Sequence, residues 1–235
     1  MARLPRLAIA GHLHHLVQRG HNGQPFVLDD EDGSYFLACL QESAALHRVR
    51  IHAYALMPAS LQLLATPPEA HSLSRMMQSL GRRYAAVFNR RHQRSGGLWD
   101  GRYRAAPVEA AQHLLSLMRY IDALPTSQGL SLRVQDYPWS SAAHHLGARR
   151  DPLVSDHAGF WAMGNTPFER DQRYARFLEE GVSPQERQAI EAAVQGSWPL
   201  GSDAFKAALA KHTTQPLVPR PRGRPKKITK TVPIK

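Results

Sequence analysis

Residues 51–66, IHAYALMPASLQLLAT, constrain the fold more than any other stretch of the chain. They form an apolar run interrupted once, at Met57-Pro58, and closed by Pro67-Pro68. Proline suits a turn and not the interior of a ladder, so the run reads as two strands joined at Met57-Pro58. The second strand, over 59–64, alternates in part. Strand side chains point to opposite faces in turn, which places Ser60 and Gln62 on one side and Leu61 and Leu63 on the other. Two polar groups side by side on a strand either line a site or face solvent, and the pattern alone leaves both open.

The flanking segments alternate in period. Residues 12–18 read as a strand, followed by a turn at Arg19-Gly20-His21-Asn22-Gly23. Residues 29–46 read as a helix with acids at its start, where the macrodipole favours them. Residues 49–56 read as a strand, 72–91 as a helix capped by Ser72 or Ser74, and 108–124 as a third helix. In the second helix Leu73, Met76, Met77, Leu80, Tyr84, Val87 and Phe88 follow helical spacing and are expected in the core. Beyond Gly147 three short helices are expected, at 168–178, 183–195 and 201–211, the second capped at Ser183-Pro184.

Composition narrows the function class. The chain has 235 residues, enough for one large or two small domains, and 43% of them are hydrophobic. No apolar run approaches the ~20 residues that span a bilayer, and the opening MARLPRLAIAGHLHHL does not read as a secretory signal. A lone Cys39 leaves no internal disulfide and suits the cytosol. Thirteen His residues never fall into a tight ligand spacing, so no metal site is expected.

Charge is the stronger signal. The net charge is +11, and it is concentrated. Residues 75–104 carry +7 and residues 216–235 another +7, leaving −3 for everything else. Two basic clusters on a near-neutral remainder point to a polyanion, with nucleic acid ahead of membrane. On a helical wheel Arg82, Arg83 and Arg90 share an arc with Arg75, opposite the apolar stripe, and Arg91 follows at once. Arginine suits phosphate because its planar fork binds bidentately. Next comes Ser95-Gly96-Gly97-Leu98-Trp99-Asp100-Gly101-Arg102-Tyr103-Arg104-Ala105. There Trp99 and Tyr103 either pack a base or sugar or serve as core aromatics of a tight turn, while Arg102 and Arg104 suit phosphate. The tail from Pro216 is rich in Pro and basic residues and is expected to be disordered when free. Its Arg222-Gly223-Arg224-Pro225-Lys226 is AT-hook-like, a short basic segment suited to a narrow minor groove.

Several of these segments resemble one family. Gly11–Gly20, Tyr54–Leu64, Ser95–Ala105, Arg119–Pro125 and Asp136–Ser141 are similar to motifs of the REP-associated tyrosine transposases, single-tyrosine relatives of the small insertion-sequence transposases. The resemblance implies an α/β (α+β) ferredoxin-like antiparallel sheet with packed helices over 1–147, a helical extension over 148–215 and the basic tail over 216–235. It places Tyr120 at the nucleophile position, where the family tyrosine attacks a DNA phosphate and forms a 5′-phosphotyrosine link. It also implies Mg²⁺ or Mn²⁺ held by a His-hydrophobic-His strand. In this chain Ala59 replaces the Asn before that motif, Ser60 the first His and Gln62 the second, and Asp122 and Leu124 replace the His and Asn after the tyrosine. Neutral oxygens without a carboxylate bind Mg²⁺ weakly. No cofactor is therefore expected, and the expected function is binding of hairpin-forming or palindromic DNA with strand cleavage lost. Two alternatives stand beside it: an active nickase using Tyr120 with His14, His15, His52 or Asp122 as substitute ligands, and an RNA-hairpin binder. A cytoplasmic, nucleoid-associated location would follow.

Overall fold

The computed structural model describes residues 6–218. Its first six strands and α-helices run β1 Leu13–Arg19, α1 Asp30–Leu46, β2 Arg50–Met57, β3 Ser60–Thr66, α2 Ser72–Arg91 and β4 Arg104–Val108. The strands lie in the order β2-β3-β1-β4, and every neighbouring pair is antiparallel. This is the βαββαβ connectivity of a ferredoxin-like sheet, as the resemblance implies. Met57 pairs with Ser60, so the chain reverses over Pro58-Ala59 alone.

The period-two pattern sorts the strand residues onto two buried faces. Leu16, Tyr54, Leu56, Leu61 and Leu63 pack against α1 and α2 through Phe36, Leu40, Leu73, Met76, Leu80 and Tyr84. Leu13, Val17, Ala53, Ala55, Leu64 and Val108 face the opposite way, onto α3 Ala110–Ser127. Beyond α3 come α4 Ala142–His145, α5 Ala158–Trp161, α6 Pro167–Glu179, α7 Pro184–Gly196 and α8 Asp203–Ala210. Phe160, Tyr174, Ile190 and Val194 from these helices join the same core as α3. The residues after 147 thus cover the second face of the sheet.

Both sheet edges are sealed, which removes the unpaired backbone groups that invite association. Along β2, Leu56 N–H donates to the Trp139 carbonyl (2.8 Å) and Ser141 N–H to the Tyr54 carbonyl (3.0 Å). Tyr137 locks this strap by donating its hydroxyl to the Leu56 carbonyl at 2.8 Å. Along β4, Leu200 N–H donates to the Pro107 carbonyl at 2.9 Å.

Three local expectations shift. Neither Ser72 nor Ser74 caps α2: the N-cap is His71, with no side-chain cap, and the Ser74 hydroxyl donates back to the His71 carbonyl. The third helix starts at Ala110, because residues through Val108 are drawn into the ladder with β1. It also runs through Pro125, whose ring is buried, so tertiary packing holds a turn that local propensity disfavours. Ser183 caps α7 as expected, with the reciprocal Glu186 of a capping box.

Candidate tyrosine site and basic groove

The face of the sheet that meets α3 carries the polar residues of β1 and β3. Val17 pairs with Gln62 and Arg19 with Ser60, so these side chains and His15 share one face. His15 Nε2 donates to Gln62 Oε1 at 2.7 Å in a buried contact. Burial holds the His15 pKa down at about 4, which leaves the ring neutral at pH 7. Tyr120 lies edge-on to His15, with ring centroids 6.1 Å apart. Ser60 is half-buried at the rim and Gln62 is only 8% exposed. The pair does not simply face solvent: Gln62 is buried and Ser60 half-buried on the face that meets α3.

Tyr120 is held from the far side by α7. Its hydroxyl donates to the Glu191 carboxylate at 3.3 Å, and the Arg187 guanidinium lies 5.8 Å from the ring centroid. Burial, followed by the Glu191 charge, pushes the Tyr120 pKa up to about 12. The phenol is therefore protonated at neutral pH, its weakly nucleophilic form. Glu191 and Arg187 carry no local sequence signal. They reach Tyr120 only because α7 folds back over α3.

The donor set does not fit a divalent cation. The one side-chain oxygen of Gln62 is taken by His15. Of the substitute ligands, only His15 lies beside Tyr120. His14 donates Nδ1–H to the His12 carbonyl (2.8 Å) and accepts the Ile9 N–H at Nε2 (3.2 Å). His52 is spent between the Ser155 carbonyl and the Thr66 hydroxyl. Asp122 is fully buried elsewhere and accepts from Ser141 Oγ (2.6 Å), His145 Nδ1 (2.6 Å) and Tyr174 OH (2.7 Å). No group of three or more His, Cys, Asp or Glu is placed to hold a metal ion among the described residues.

On the opposite face, α2 and the 96–103 loop enclose a groove of about 600 Å³. Arg75, Arg82 and Arg102 line it, over a floor that includes Leu80, Leu98 and Trp99. Trp99 is half-buried against Phe26, centroids 5.0 Å apart, and its Nε1–H donates to the Gly81 carbonyl at 3.3 Å. A Cβ on Gly81 would lie 3.2 Å from that nitrogen, so the close approach of the indole uses the missing side chain. Tyr103 is buried, with the Arg6 guanidinium 3.8 Å above its ring.

The arginines of α2 do not act as one row. Arg83 pairs with Glu42, and Arg91 with Asp29 (2.7 Å), Glu31 (2.8 Å) and Asp32 (2.5 Å), which ties both to α1. Arg75, Arg82 and Arg90 are exposed and make no ion pair among the described residues. Arg104 donates to the Gln195 carbonyl. Arg222, Gly223, Arg224, Pro225 and Lys226 lie outside the described residues. No helix among those described is long and apolar enough to cross a membrane.

By fold and site this is an α/β protein whose ferredoxin-like sheet presents polar strand residues to a helix-borne tyrosine. A family model for IS200-like transposases matches residues 10–123, which span the whole sheet and reach just past Tyr120; the chain belongs to that family. Among solved structures, a REP-associated tyrosine transposase bound to a REP hairpin aligns with a TM-score of 0.55 at 15% identity, over 67% of this chain and 92% of its own. A presumed transposase of Deinococcus radiodurans R1 aligns with a TM-score of 0.37 at 20% identity, over 51% of this chain and 94% of its own. No curated protein matches the chain significantly.

Proposed function

We propose that this protein is a DNA-binding member of the REP-associated branch of its family, recognising hairpin-forming repeat DNA with strand cleavage lost. The observation that carries the reading is the state of the strand site. Ser60 and Gln62 stand where the resemblance implies two metal ligands, and the Gln62 oxygen already accepts from His15. The Tyr120 hydroxyl is protonated and engaged by Glu191. Without a cation to polarise the phosphate, the chemistry lacks its main source of rate. Binding has separate support in the groove arginines Arg75, Arg82 and Arg102, whose phosphate contacts would position a strand. The exposed Arg90 would add charge beside it, while Arg83 and Arg91 are neutralised by α1 and Arg104 faces the other side of the sheet; Trp99 and Tyr103 would shape its wall. The tail segment Arg222–Lys226 supports, on sequence alone, a second contact in an A·T-rich minor groove. Such a protein would work in the cytoplasm at the nucleoid.

The test is a panel of labelled single-stranded DNA hairpins with Mg²⁺ or Mn²⁺, run in parallel on native and denaturing gels beside Tyr120→Phe. The expected result is a native shift, equal for both proteins, and no covalent adduct. An adduct that disappears in Tyr120→Phe would establish an active nickase. A shift stronger with the matching RNA hairpins would move the ligand class to RNA.

A further inference from the structure

Ser60 and Gln62 change which groups the strand site can offer a ligand. A histidine pair offers lone pairs to a cation, whereas a glutamine whose oxygen already accepts one hydrogen bond keeps both amide N–H donors and one remaining lone pair. Gln62 Oε1 accepts from the buried His15, which leaves the amide –NH₂ as the end of the side chain without a partner. That nitrogen makes no hydrogen bond and is not sealed off from solvent. Opposite partners on antiparallel strands have Cβ atoms roughly 4.5–5.5 Å apart, so Arg19 on β1 stands directly beside Ser60 on β3. The Ser60 hydroxyl and the Arg19 guanidinium likewise make no hydrogen bond or ion pair among the described residues. Arg19 also lines a small hollow with Arg102, Arg104 and Asp100, three guanidinium groups against one carboxylate. Glu191 is the second carboxylate at the site, turned onto the Tyr120 hydroxyl.

We propose that Gln62 Nε2, Ser60 Oγ and Arg19 form a metal-free subsite for a backbone phosphodiester, held where the resemblance implies a metal-bound scissile phosphate. The inference rests on the DNA-binding reading and names what this site does within it. The subsite anchors a strand by donor hydrogen bonds and one positive charge, with no ligand for a metal and no bond broken. His15 keeps the amide –NH₂ without a partner, because its neutral ring has one N–H to give and gives it to the Gln62 oxygen.

Two experiments on the full chain test this. The first follows the Gln62 side-chain amide resonances by NMR during titration with inorganic phosphate and, separately, with Mg²⁺. Shifts that saturate with phosphate and are absent with Mg²⁺ are expected. Shifts with Mg²⁺ and none with phosphate would overturn the proposal, since they mean that the amide presents its oxygen. This experiment needs no DNA, so it stands if hairpin binding fails. The second measures fluorescence anisotropy of a labelled DNA hairpin in EDTA and in Mg²⁺. Equal affinity in the two buffers is expected. Gln62→Glu should weaken binding in EDTA roughly tenfold, the equivalent of one charge-assisted hydrogen bond, and Mg²⁺ should restore it. Glu191→Gln should strengthen binding several-fold by removing a nearby negative charge. Unchanged affinity in both variants would overturn the subsite while leaving DNA binding intact.

Discussion

Replacing Asp122 with alanine tests whether the buried network on α3 joins the sheet to the helices that cover it. Asp122 and His145 are both fully inaccessible, and the aspartate accepts three hydrogen bonds of 2.6–2.7 Å from α6, from α4 and from the strap residue Ser141. His145 Nε2 also donates to the His52 carbonyl on β2 at 3.0 Å. Removing the carboxylate leaves a buried cation without its counter-charge and the Tyr174 hydroxyl without an acceptor, while the Ser141 hydroxyl can still donate to the Tyr54 carbonyl at 3.2 Å. Breaking one side of a buried pair costs about 3–5 kcal/mol. For a chain of this length each kcal/mol moves the Tm by about 2–4 °C, so the expected loss is about 6–20 °C. Urea unfolding followed by circular dichroism gives the free energy, and calorimetry gives the Tm. Asp122→Asn keeps the shape and one acceptor and should lose roughly half as much; Tyr174→Phe should lose about 1.5–3 kcal/mol, one hydrogen bond to a charge. A loss under about 1 kcal/mol for Asp122→Ala would refute the reasoning, because it would mean that the network carries no net stability.

The same pair sets a pH dependence. Burial alone would lower the His145 pKa, but the charge and hydrogen bond of Asp122 outweigh it and raise it. The contribution is fully present below the unfolded value of about 6.5 and is lost as pH climbs through the raised folded value. Urea midpoints should therefore fall above neutral pH in the wild type and stay flatter in Asp122→Asn. Tyr120, with its pKa near 12, should add no phenolate absorbance below about pH 11, so the difference titration between wild type and Tyr120→Phe should be flat to that point. Trp99→Ala should cost about 2–3 kcal/mol in urea unfolding, below the roughly 3–5 of a fully buried indole, since Trp99 is half-exposed over Gly81. Changing Arg75 and Arg82 together to Gln should reduce the slope of log K for single-stranded DNA against log salt by about 0.7 per contact, and an unchanged slope would remove the groove from the interface.

The strands and helices were legible where side-chain period and local chemistry agree. Ser60 and Gln62 could be assigned to one face from alternation, and the apolar stripe of α2 from its spacing. The site was legible in part. Tyr120 and the altered strand positions came from motif resemblance, and His15 was singled out on its strand without its partner. The row of arginines on α2 was over-read, because a wheel sees one helix and not the acids of α1 that neutralise Arg83 and Arg91. The third helix was ended at 124, one residue short of Pro125, because propensity does not include the packing that buries its ring and carries the helix on to Ser127.

What the sequence by itself determined is the frame: which residues can form the two layers of the sheet, where charge is concentrated, and which residue types, Ser60 and Gln62, stand on the strand beside His15. These follow from period, composition and residue type, which are local properties. Only the tertiary structure decided the chemistry of the site. Whether Gln62 presents an oxygen or a nitrogen depends on His15, 47 positions away, and the state of the Tyr120 hydroxyl depends on Glu191, 71 positions away. Hydrogen bonds and desolvation act over a few ångströms in space, so they depend on the fold that brings distant residues together and cannot be read along the chain.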